Sequence, residues 1–149
     1  MTDDDRRFLA EAVKEAELGW TEGGIPIGSV LVKDGEILGR GHNKRQQNGS
    51  VTLHGEMDAL ENAGRLRAEV YKECTIYTTL SPCPMCSGAI LLYKIPRVVM
   101  GENVSFQGDE EYLRSKGVEL VLADDPACKA LMARMMAEKP ELWAEDIGV

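Results

Sequence analysis

Two cysteines, Cys83 and Cys86, stand two residues apart in the stretch TTLSPCPMCSGAI, where a β-branched run gives way to a helical pattern. Cysteines at that spacing can form a redox pair, half of a structural zinc knuckle, or part of a catalytic metal site. The rest of the chain narrows the choice. Of the two histidines, His54 opens a helical pattern in LHGEMDA, and Glu56 follows it by two residues. His54, Cys83 and Cys86 together make three ligands, which leaves the fourth tetrahedral position free for water, as in catalytic zinc sites. Two thiolates and a neutral imidazole balance Zn2+, so that water can ionise near neutral pH. Ligands at helix N-termini gain from the helix dipole, which favours thiolate. Glu56, in the first turn of its helix, can border the same pocket without binding metal and can carry protons.

The plainer readings predict other things. A thioredoxin-like redox pair requires no His-Gly-Glu at a second helix start. A structural knuckle takes four protein ligands, and the spare cysteines are Cys74 in a strand pattern and Cys128 in a helical one, both ordinary small core residues by type. His42 reads as a polar residue at a strand end rather than a ligand.

The elements that must position these groups follow from periodicity. Phe8, Leu9, Ala12, Val13, Ala16 and Trp20 recur at helical spacing. IPIGSVLVKDGEILGRGHN reads as two strands joined at Asp34-Gly35, a hairpin signal. Leu53, Met57 and Leu60 predict a helix stopped by Gly64. CTIYTTL reads as a buried strand, after which Ser81 is expected to cap the next helix and Pro82 to open it. RVVMGEN and VELVLAD give two more strands around a polar helix, roughly 109–116, and Asp125-Pro126 opens a last long helix. Helices between the last three strands call for parallel crossovers. The expected fold is α/β: a three-layer α/β/α sandwich with a mixed five-stranded sheet, in a single domain spanning 1–149.

Composition excludes several classes. Apolar residues make up 44% of the 149, enough for a core, too many for a disordered chain and too few for a membrane protein. No apolar run reaches membrane-spanning length. The charged start MTDDDRRFLAEA is unlike a secretory signal, and four cysteines fall short of a secreted disulfide framework, so a cytoplasmic location is expected. A net charge of −8 repels phosphate backbones, so the expected partner is a small neutral molecule, not nucleic acid.

His54-Gly55-Glu56 followed by Pro82-Cys83-Pro84-Met85-Cys86 matches the H-x-E and P-C-x-x-C signature of zinc nucleobase deaminases. Over nearly its whole length the chain resembles the cytidine/cytosine deaminase superfamily, and within it the fungal-type cytosine deaminases. The stretches EGGIPIGSVLV, GRGHNKRQQNGSVTLHGEMDALENAGRL, YTTLSPCPMCSGAILLYKIPRVVMGENVSF and WAEDIG carry the resemblance. It implies one Zn2+ per subunit on His54, Cys83 and Cys86, with Glu56 as proton shuttle. It implies that Asn43 and the Gly55 N–H grip the pyrimidine carbonyl and that the Ser81 carbonyl faces the amino group. Ile27, Phe106 and Trp143 would enclose the ring, with Asp146 at its polar edge. It further implies a homodimer that acts on a free nucleobase, cytosine first, in pyrimidine salvage. Guanine or another small aminated ring is the alternative substrate, and a non-catalytic zinc-binding module the alternative class. One departure is Ala144, where the fungal-type tail has an aromatic residue; it opens space at the pocket mouth.

Overall fold

The computed structural model describes residues 1–149. Helix α1 (Asp3–Thr21) starts at a capping box, in which Thr2 accepts from the Asp5 N–H and Asp5 accepts from the Thr2 N–H, each at 3.0 Å. Strands β1 (Gly28–Lys33) and β2 (Glu36–His42) form the expected hairpin. Its turn residues Asp34 and Gly35 have φ of 51° and 75°, the left-handed pair that matches strand twist. A four-residue turn, α2 (Arg45–Asn48), then leads to α3 (Gly55–Ala63), which stops at Gly64 with φ of 86°. After α4 (Ala68–Tyr71) come β3 (Thr75–Leu80), α5 (Pro84–Tyr93) and β4 (Arg97–Glu102). The chain ends with α6 (Glu110–Ser115), β5 (Glu119–Leu122), α7 (Pro126–Glu138) and α8 (Pro140–Asp146).

The sheet order is β2-β1-β3-β4-β5. β1 runs antiparallel to β2 and β3, and β3, β4 and β5 are parallel. This is the mixed five-stranded α/β sheet expected from the pattern. Both faces are covered, so successive strand residues alternate between two cores. Val30, Val32, Tyr77 and Val99 pack with Phe8, Leu9 and Ala12 of α1. Leu31, Ile76, Val98 and Met100 pack on the other face with Ile90 of α5, Leu113 of α6 and Tyr71 of α4. A third cluster, with Ile25, Ile27, Leu80, Met132, Met135 and Trp143, closes one end of the sheet beneath α7 and α8. The methionine stripe of α7 is therefore core packing.

One cap differs from expectation. Cys83, not Ser81, is the N-cap of α5, and Pro84, not Pro82, takes its first turn. The Ser81 hydroxyl is engaged elsewhere: it donates to buried Glu110 at 2.7 Å and accepts from the Gly108 N–H at 3.0 Å. Those bonds fix the loop carrying Phe106 against the end of β3.

Candidate metal and active site

The candidate groups meet outside the C-terminal ends of β3 and β4, beside the point where strand direction reverses between β3 and β1. Crevices at such switch points are where α/β sheets bind ligands. His54 is the N-cap of α3 and Cys83 the N-cap of α5, with Cys86 one turn further along. The N-termini of two helices packed on the same face of the sheet thus bring the three ligands together.

Their geometry fits zinc. The ligating atoms all lie within 4.8 Å of one another, and the His54 Nδ1 is 3.4 Å from Cys83 Sγ and 3.8 Å from Cys86 Sγ. Tetrahedral zinc with bonds of about 2.3 Å to sulfur and 2.0 Å to nitrogen sets such atoms about 3.5 Å apart. The other ring nitrogen, Nε2, faces Asp146 Oδ1 at 3.5 Å. A carboxylate in that place selects Nδ1 as the free ligand and fixes the ring plane. Cys74 and Cys128 are buried elsewhere and do not join the cluster. His42 is buried between two carboxylates, with Nδ1 at 2.9 Å from Glu15 and Nε2 at 2.8 Å from Glu22.

The metal-free cluster holds its charges in one pattern. A hydrogen bond from Cys86 is the main force lowering the Cys83 thiol to about 4, against its burial and with help from His54. That same bond, reinforced by burial, raises Cys86 well above the ordinary thiol range. Burial works to lower His54, but the Cys83 hydrogen bond and the charges of Asp146 and Glu56 raise it to about 9. Burial, with the negative charge of Cys83, raises Glu56 to about 7, and nearby His54 limits the rise. A carboxyl poised there can both take and return a proton at neutral pH.

A cavity of about 20 Å³ adjoins this cluster, lined by His54, Glu56, Cys83, Ile27, Ser81 and Phe106, together with Trp143 and Asp146 of α8. Phe106 and Trp143 meet edge to face, centroids 6.4 Å apart. That volume holds little more than one water, so even a single base enters only with outward movement of α8 or the Phe106 loop. Three of the sequence-derived site residues lie just behind the walls. Cys86 is fully buried. Gly55 opens α3, where N–H groups have no intrahelical partner; a Cβ there would come within 3.0 Å of the Ile27 carbonyl oxygen. Asn43 donates to Asp146 at 2.9 Å and accepts from the Arg45 N–H at 3.0 Å. Leu80 and Ile147 also line the cavity and were not expected there. Leu80 ends the strand before Ser81, and the apolar side chain of Ile147 among acids was the available signal for it.

The sequence profile of the cytidine and deoxycytidylate deaminase zinc-binding region matches residues 2–102, more than half of the chain. The chain belongs to this family. It is a zinc-dependent deaminase, with His54, Cys83 and Cys86 placed to hold the metal. This deaminase is 58% identical to cytosine deaminase of Candida albicans over 99% of each chain. It is 46% identical to a tRNA-specific adenosine deaminase of Streptococcus pyogenes, over 68% of this chain and 65% of that one. Guanine deaminase of Bacillus subtilis shares its fold with a TM-score of 0.56 and 32% identity, over 80% of this chain and 72% of that structure. Residues 103–149, which supply Phe106, Trp143 and Asp146, lie beyond the zinc-binding match.

Proposed function

We propose that this deaminase hydrolyses free cytosine to uracil and ammonia, the whole chain acting as one zinc-enzyme unit. The observation that carries the reading is the full-length likeness to a cytosine deaminase. It extends through the C-terminal segment that roofs the cavity, where relatives with other substrates need to differ. The covering helix α8, which sets Trp143 and Asp146 against the cavity and leaves no space for a sugar, supports a free base over a nucleoside.

His54, Cys83 and Cys86 hold the metal. When bound, zinc acidifies a water, the source of the oxygen that replaces the amino group. Glu56 takes a proton from that water and delivers it to ring N3, which draws electrons away from C4. The oxygen adds to C4, its remaining proton passes through Glu56 to the amino nitrogen, and the C4–N bond breaks so that ammonia leaves and a C4 carbonyl remains. Ile27, Phe106 and Trp143 enclose the ring, and Asp146 meets its polar edge. The Gly55 N–H and Ser81 carbonyl contact the polar groups of the base. Asn43 contacts the carbonyl after turning its amide from Asp146.

The proposal includes a cytoplasmic location, pyrimidine salvage and a homodimer. Four free cysteines suit a reducing compartment, and no helix is long and apolar enough to cross a membrane. A net charge of −8 disfavours the tRNA reading, since polyanion binding needs a basic surface. The guanine reading has specific support in the Bacillus subtilis likeness. Ammonia release from cytosine, cytidine and guanine distinguishes them: cytosine is expected to react and cytidine not to. Equal turnover of cytidine, or turnover of guanine alone, overturns the assignment.

A further inference from the structure

The roof of the cavity is held by a charge arrangement centred on Asp146, whose cationic partner, Arg45, lies outside the metal and substrate groups. α8 has seven residues, too short to persist without docking. Its apolar anchor is Trp143. Its C-terminal end is fastened by Asp146, a carboxylate only 2% exposed in its side chain. That charge sits at the negative end of the helix dipole, with no basic residue in the last turn and Glu145 beside it. A buried carboxylate so placed needs a cation.

Asp146 has three partners: Asn43 at 2.9 Å, Arg45 Nη1 at 3.4 Å and His54 Nε2 at 3.5 Å. Asn43 is neutral. His54 must be the neutral imidazole once its Nδ1 holds the metal. In the loaded enzyme Arg45 is therefore the one full positive charge on Asp146. The guanidinium is itself anchored, since Nε donates to the Val51 carbonyl at 3.1 Å. Arg45 thus ties α8 to the 50–54 segment that leads into His54.

We propose that Arg45 is a positioning residue that latches α8 over the metal site, so that losing it frees the roof without emptying the site. Only the kinetic consequence rests on the cavity being the substrate site. The test is amide hydrogen exchange of the zinc-loaded full chain, alongside zinc content and cytosine kinetics, for Arg45→Met and Arg45→Lys. Removing a charge-assisted contact is expected to speed exchange across residues 140–147 about tenfold. Exchange in α3 and α5 and the zinc content should match the unsubstituted enzyme. KM should rise more than kcat falls, and Arg45→Lys, which keeps the charge, should recover part of both effects. Unchanged exchange in α8, or zinc lost together with it, overturns the latch. Faster exchange in α8 with an unchanged KM upholds the latch and overturns the reading of α8 as the substrate roof.

Discussion

Glu56 and His54 show how differently two neighbours answer to one environment. Buried Glu56 and half-buried His54 both lie near Cys83, whose negative charge raises each of them, but desolvation raises the carboxyl and opposes the imidazolium. The Glu56→Gln variant keeps shape and loses the proton carrier. It should retain one zinc per chain while turnover falls by about two to four orders of magnitude; near-normal turnover would remove Glu56 from the mechanism. The metal itself must compete with protons. With His54 raised to about 9 and Cys86 raised above its ordinary range, both are protonated in the metal-free cluster at pH 7, while Cys83, lowered to about 4, is not. Zinc needs neutral His54 and ionised Cys86, so uptake at pH 7 should release roughly two protons. Retention should weaken as the pH falls. An indicator dye in weak buffer reads the first effect directly, and uptake without proton release would contradict the ligand set.

At the scale of elements, helices approach the sheet through glycine. A Cβ on Gly28 would run into the Ala12 carbonyl oxygen and the Ala16 amide of α1. Backbone cannot yield as a flexible side chain does, so Gly28→Ala should cost about 3 kcal/mol, the upper end for overpacking. For a chain of this size that lowers the melting temperature by about 6–12 °C. Thermal unfolding checks it, and an unchanged midpoint would mean that α1 shifts freely. Most elements were legible in sequence because their signals are local. Asp34-Gly35 made the hairpin, and Asp109 and Asp125 capped α6 and α7 as their types suggest. The Ser81 cap was misread because its hydroxyl is bound by Glu110, 29 residues away. The four-residue α2 and α4 have no period to detect. The metal ligands were legible because residue type and spacing nearly determine zinc chemistry. The contact of Asp146 with His54 was not, since it depends on how the tail folds back.

The whole molecule presents one more surface to be covered. Helix α5 turns Cys86, Ser87 and Ile90 inward yet leaves Leu92 70% and Tyr93 43% exposed. Gly88, on its outer side, has nothing within 4 Å of a built Cβ, which permits close approach of another helix. Apolar ground continues on both flanks, through half-buried Leu60 and Leu66 on one side and half-buried Leu91 and exposed Tyr112 on the other. An exposed apolar patch of this kind, rimmed by charged residues, marks an interface more often than a solvated face. The homodimer proposed above would place it against its own copy, since a closed two-fold contact uses the same patch twice. Each copy carries a net charge of −8, so the approach is opposed by long-range repulsion that salt screens. Sedimentation at micromolar concentration should therefore show a dimer that tightens as ionic strength rises. Leu92→Asp puts a charge in the middle of the patch and should give a monomer with its zinc intact. An unsubstituted chain that sediments as a monomer, or a Leu92→Asp variant that stays dimeric, would move the interface off α5.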